Sequence, residues 1–196
     1  RHPLDAPGAT AVGPRIAASP EQGFLRSSLM SSLAEAARRN GSKDLQLFEI
    51  GRVFSGTKNG FDERRMAAVL CVGPIVSPSR QNEAVPSIDF FAVKSLILEA
   101  LPGASLSLGS DDPRLHPTRQ AALSMNGKRV GVIGQIHPDV AEQVLLTPDT
   151  VLAEFDLALA LDDEAGFGGY KPVSRNPSVR RDIAVLIDKA RPYADI

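Results

Sequence analysis

An α+β fold, an antiparallel sheet flanked by helices, is expected from three observations along the 196-residue chain. Two segments, near residues 25–39 and 90–101, place apolar residues at helical spacing. Several short runs elsewhere are β-rich or alternate, and Asn126-Gly127 stands between two of them as the strongest short hairpin signal a sequence carries. The elements do not alternate strictly as strand and helix, so adjacent strands are expected to pair antiparallel.

Residues 1–23 are rich in Pro, Gly and Ala without sustained periodicity. They read as a loop or lead-in, with one short strand near Arg15–Ala18. In "FLRSSLMSSLAEAARRNG", Leu25, Leu29, Leu33 and Ala36 or Ala37 share a helical stripe. Arg38 and Arg39 complement the dipole in the last turn, and Asn40-Gly41 stops the helix. "LQLFEIGRVF" is a strand, "SGTKNGFDERR" a polar turn and "MAAVLCVG" its antiparallel partner. A Pro- and Ser-rich loop over 74–87 leads to a helix capped by Ser87 or Asp89, with Phe90, Val93, Ile97 and Leu101 on one face and Pro102-Gly103 as its end. "ASLSL" and the two runs around Asn126-Gly127 are strands. "HPDVAEQVLL" is a short helix with Pro138 in its first turn, and "TVLAEFDLAL" is a further strand. "DDEAGFGGYKP" is a break, after which "VRRDIAVLID" starts a strand without partners.

Composition narrows the function classes. Hydrophobic residues make up 43%, charged residues 23%, and the net charge is −1, an ordinary globular profile. No apolar run approaches the ~20 residues needed to span a bilayer, and no signal-peptide pattern is present, so no membrane association is expected. The single cysteine, unable to form an internal disulfide, points to a reducing, cytoplasmic home. The start at Arg1 suggests a piece of a longer protein. Residues 170–196 carry six Lys or Arg against three Asp, a net +3, which points to a polyanion near that end.

No catalytic constellation assembles. His116 and His137 both precede proline and lack a third ligand at metal spacing, so each is expected to shape a chain turn. The glycines of "GVIG", 131–134, lie within a strand rather than a helix-opening loop, which implies close backbone packing or a bulge instead of a phosphate cradle. Asp162, Asp163 and Glu164 read as solvated acids. Cys71, the single cysteine, reads as a buried strand residue.

Five stretches in order, "LRSSLMSSLAEAARRN…LQLFEIGRVF", "DFFAVKSLILEAL", "LHPTRQAAL…GKRVGVIGQIHPDV", "VLAEFDL" and "YKPVSRNPSVRRDIAVLID", resemble the C-terminal part of the bacterial phenylalanyl-tRNA synthetase β subunit. The resemblance covers roughly residues 15–196. It implies a class II synthetase-like module without catalytic function over 15–165, after a poorly ordered lead-in over 1–14. A linker over 166–172 and the first strand of a truncated ferredoxin-like anticodon-binding domain over 173–196 would follow. The family implies an (αβ)2 assembly in which the α subunit attaches phenylalanine to tRNA(Phe) with ATP and Mg. In this chain it implies no catalytic residue, cofactor or metal. The α contact is placed on Leu25, Arg26, Leu29 and Leu33, and tRNA contact in the whole protein on Arg175, Arg180 and Arg181.

"GRVFSG" resembles the first strand of the class II ATP-binding motif, where an arginine follows the aromatic residue. Such a cation stabilises charge developing on the α-phosphate. Here Ser55 follows Phe54, and alternation turns Arg52 to the opposite face. The later stretch that should bring a second arginine, "VLAEFDLALALDDE", holds none. Asn176 replaces a usual aromatic, removing a stacking surface. Two other classes are distinguishable. An active ATP-dependent ligase would need Arg64, Arg65 or Arg119 as its cations and would bind ATP. A regulatory domain on the same scaffold would bind a small molecule such as an amino acid without a partner.

Overall fold

The computed structural model describes residues 2–14, 23–41, 44–75, 85–161, 181–188 and 191. The chain divides into two compact units, Arg1–Glu164 and Ala165–Ile196. In the second, residues 181–188 are exposed and lie in no regular element. A strand exists only through its ladder, and the one expected over 179–188 has no partner strand among the described residues. The short strand near residues 15–18, the linker over 166–172, and Arg175, Asn176 and Arg180 lie outside the described residues.

The first unit is built on α1 (Leu29–Asn40), β1 (Leu45–Thr57), β2 (Gly60–Val72), α2 (Phe90–Ala100), β3 (Ala104–Leu108), β4 (Leu115–Met125), β5 (Lys128–Ile136), α3 (Pro138–Val144), β6 (Val151–Asp156) and α4 (Leu157–Leu161). The strands form one six-stranded sheet in the order β1-β2-β6-β5-β4-β3, with every neighbouring pair antiparallel.

Side-chain alternation gives the sheet two apolar faces, and each is covered by helices. On one, Val53, Met66, Leu70, Leu152 and Val132 pack beneath α1, α3 and Leu4. On the other, Cys71, Leu123, Ile133, Ala153 and Phe155 pack against α2 and Ala160 of α4. The result is three layers, helix on sheet on helix.

Local signals account for most boundaries. Ser28 caps α1, its Oγ accepting from the Met30 amide at 3.1 Å, so the helix starts four residues after Leu25. Leu25 instead pairs with Val12. Gly41 ends α1 in the left-handed region at φ 61°. Asp89 caps α2 and His137 caps α3. Asn126 and Gly127, at φ 51° and 73°, supply the pair of positive angles that a type I′ hairpin requires.

Three expectations change. The polar turn after β1 shrinks to Lys58-Asn59, and the flanking charged residues continue the strands as a ribbon. β6 ends at Asp156 instead of running to Leu159, because the Asp156 carboxylate accepts from the amides of Ala158 and Leu159 at 3.0 and 3.1 Å and opens α4. The lead-in is docked, not poorly ordered. Leu4 is fully buried in the α1-side core, and Asp5 accepts from the His2 amide at 2.9 Å in a closed turn.

"GVIG" is a site of close approach. A Cβ at Gly131 would fall on the Glu154 carbonyl and on Phe155, and one at Gly134 on Gln120 and Arg119. The β4–β5 register shifts between Leu123 and Ser124, so one extra residue, Val130, lies between Gly131 and Arg129.

Candidate functional site

On β1, Ser55 shares the α1 side of the sheet with Val53, two residues before it. Arg52 points to the other side, where its guanidinium meets Glu63 at 2.8 Å and remains 71% exposed. It cannot reach across the sheet to Ser55. β6 and α4, Val151–Leu161, contain no arginine.

What stands on the α1 face is a carboxylate. Glu154 alternates with the apolar residues of β6 and projects to the N-terminus of α1. Its oxygens accept from the Leu29 amide at 2.6 Å and from Ser28 Oγ at 2.9 and 3.0 Å. α1 has no acid in its own first turn, so Glu154 supplies the negative charge that its dipole favours. The place where a helix N-terminus could receive an external anion is already filled.

Arg114 completes the arrangement. Its Nη1 donates to Ser28 Oγ at 3.0 Å, to the Leu4 carbonyl at 3.2 Å and to Glu154 at 3.4 Å. Nε and Nη2 grip the Asp112 carboxylate at 2.9 and 2.8 Å. Burial by itself would lower the pKa of Arg114. Hydrogen bonding and charge from Asp112, then Glu154, outweigh it and hold the pKa above its ordinary value. Every polar group here has a partner, so the cluster fixes α1, β6 and the lead-in together and offers neither a nucleophile nor a proton acceptor to a substrate.

The residues expected at a subunit contact separate. Leu29 and Leu33 are 0% and 4% exposed within the chain's own core, which corrects their assignment to an interface. A helical stripe marks a buried face and does not say what buries it. Leu25 is 37% exposed. Arg26 is half-buried and committed to Glu49, the Arg52 carbonyl and Ser32, its guanidinium lying over Gly51. Arg181 is exposed in the second unit.

Among the arginines an unconventional ligase would use, Arg64 lies opposite Val53 on the α1 side, Arg65 opposite Arg52 on the other, and Arg119 binds Gln135 at 2.8 Å. They do not converge. His116 accepts from the Thr118 amide at 3.3 Å and His137 from the Asp139 amide at 3.2 Å, each in a local turn. Among the described residues no group of three His, Cys, Asp or Glu side chains could hold a metal ion. The available signal for the missed cluster was Glu154 itself, a carboxylate inside an otherwise apolar strand, which must have a partner if buried. Nothing in the sequence names Arg114 or Ser28 as that partner.

Burial pushes the Cys71 thiol from 9.0 up to about 11. The folded pKa lies above the unfolded one, so the thiol's contribution to stability is full below about pH 9 and lost as pH rises through about 11. Urea midpoints are expected to fall across that window. At pH 8, iodoacetamide should label Cys71 only after unfolding, and rapid labelling of the folded chain would contradict this burial.

Comparison with known proteins places this geometry. The family model described as "Phenylalanyl tRNA synthetase beta chain CLM domain" matches residues 3–157. The phenylalanine–tRNA ligase beta subunit of Aromatoleum aromaticum is 34% identical over 181 residues, covering 87% of this chain and 22% of the relative. That of Chromobacterium violaceum is 35% identical over 181 residues, covering 90% and 22%. The chain thus spans under a quarter of the length of these relatives. Among solved structures, the pyrrolysyl-tRNA synthetase of Desulfitobacterium hafniense superposes with a TM-score of 0.50 at 17% identity, over 70% of this chain and 49% of that one, a likeness of fold alone. The ordered sheet, the match over residues 3–157 and the identity to full-length β subunits agree, and the chain belongs to the phenylalanyl-tRNA synthetase beta chain CLM domain family.

Proposed function

We propose that this chain is a non-catalytic structural module of a phenylalanyl-tRNA synthetase β subunit, supporting an α subunit that attaches phenylalanine to tRNA(Phe) with ATP and Mg. The observation that carries the non-catalytic reading is the α1 face of the sheet. Ser55 stands at the position of the motif arginine, and the Glu154 carboxylate fills the helix N-terminus. A negative, fully satisfied group there opposes the charge that develops on a phosphate under attack, and losing one stabilising donor alone costs about 10²–10³ in rate.

The supporting role rests on family membership, and in this reading the parent enzyme is a cytoplasmic (αβ)2 assembly. With Leu29 and Leu33 inside the core, the surface left for α on this side is Leu25 together with Phe24, which is 73% exposed. Arg181, with Arg175 and Arg180, would meet tRNA phosphates in a complete ferredoxin-like domain, as contacts that position the RNA without reading its sequence.

Light scattering of the chain mixed with the cognate α subunit tests the reading. A defined complex is expected, and Leu25→Glu should weaken it while leaving the thermal midpoint of the isolated chain nearly unchanged. Absence of association, or association indifferent to Leu25→Glu, would refute the supporting role or the proposed surface respectively.

A further inference from the structure

The α1 face of the sheet contains an open cavity of about 280 Å³. Its wall includes Arg64, Arg129 and Arg114 against a single carboxylate, Glu154, with Val53, Met66 and Val132 as apolar floor. Arg114 is consumed by the buried cluster, whereas Arg64 and Arg129 are not.

Topology brings those two arginines together. β6 lies between β2 and β5 and antiparallel to both. Its last pairs are Asp156 with Met66 and Phe155 with Gly131. Arg64 and Arg129 each lie two residues beyond those partners, past the end of β6, so they flank the gap it leaves. β2 and β5 are two strand spacings apart there, about 10 Å, which two arginine side chains can span from opposite sides.

The bulge at Val130 puts Arg129 on this face. Val132 belongs to the α1-side core and Val130 to the opposite one, although both are even-numbered residues of one strand. Strict alternation would have placed Val130 toward α1 and turned Arg129 away. The extra residue reverses the phase and aims Arg129 at the cavity, as bulges beside binding sites do.

Both guanidiniums keep donors to spare. Asp62 meets Arg64 only through Nε, at 3.3 Å. Nη2 of Arg129 donates to the Ser110 carbonyl at 2.8 Å, and among the described residues Arg129 has no carboxylate partner. Two planar forks approaching from opposite sides need more acceptor oxygens than one carboxylate presents, and a phosphate with three terminal oxygens meets that demand. The apolar floor suits a compact organic body attached to it.

We propose that this cavity binds a small phosphate monoester, its phosphate held between Arg64 and Arg129 and its organic body against Val53, Met66 and Val132. The site borders the filled helix N-terminus, sharing Arg114 and Glu154 as part of its wall, and makes no covalent step.

The test is calorimetric titration of the full chain with phenyl phosphate, alongside inorganic phosphate. Saturable one-to-one binding of phenyl phosphate is expected with a dissociation constant of about 1 mM, ordinary efficiency for a ligand of this size. Inorganic phosphate should bind more weakly. Arg64→Gln and Arg129→Gln should each weaken phenyl phosphate binding about 10- to 100-fold. Arg52→Gln, on the opposite face, should leave it unchanged, with thermal midpoints confirming that all three variants fold. Three results would overturn the proposal: no saturation well above that concentration, equal affinity for the two probes, or equal weakening by Arg52→Gln.

Discussion

Arg114→Met is expected to destabilise the first unit by about 3–5 kcal/mol, the range for removing one partner of a buried ion pair. Arg114 and Glu154 are each only 6% exposed at their side chains, and Asp112 is equally enclosed. Methionine keeps the bulk and removes every donor. Two carboxylates are then left facing each other's field in low dielectric, and the Leu4 carbonyl and Ser28 each lose the donor that Arg114 supplies. Loosening should be visible at the lead-in as well, as faster proteolysis within residues 2–14. Glu154→Gln is a smaller change, about 1–3 kcal/mol, because the amide can still accept from Ser28 and Leu29. If the cluster acts as one unit, the double variant will depart from additivity by about 0.5–3 kcal/mol. Urea unfolding followed by far-UV circular dichroism reads all three. An Arg114→Met midpoint equal to that of the parent chain would show that the cluster does not hold the fold together.

Leu29→Ala is expected to cost about 2–5 kcal/mol, the range for emptying a fully buried leucine site. Leu25→Ala, four residues earlier and outside the helix, should cost less than about 1 kcal/mol, as exposed positions do. Leu29 is fully buried and its amide is the one that Glu154 holds. Contraction of the cavity would therefore move the α1 N-terminus away from its counter-charge. The pair of variants separates folding from association. If Leu29→Ala leaves stability intact and only weakens binding of a partner, the stripe is an interface and Leu29 does not belong to the core.

The helix α1, its Arg38 and Arg39 in the last turn and its left-handed stop at Gly41 were legible because each depends on neighbours within a few residues. The same holds for the Asn126-Gly127 hairpin and for the close packing of Gly131 and Gly134. That Ser55 and Val151–Leu161 hold no arginine, and that Arg52 faces away from Ser55, needed only the order of residues and the alternation of a strand. The end of β6 was misplaced because "FDLAL" continues the apolar run. Asp156 stops the strand by capping the following amides, and a strand pattern does not weigh a cap.

The sequence by itself thus determined the fold class, the local periodicities and the lack of an arginine at Ser55 and along Val151–Leu161, since these are properties of short segments. Only the tertiary structure decided what faces what. Glu154 meets Ser28 across 126 residues of sequence and Arg114 across 40, and no local period encodes a pairing at such separations. It decided that Leu29 and Leu33 are buried by their own chain, because a helical stripe is the same pattern whether covered internally or by another subunit. It also decided that Arg129 shares a cavity with Arg64, because a single extra residue at Val130 inverts the faces of a strand whose composition gives no sign of the change.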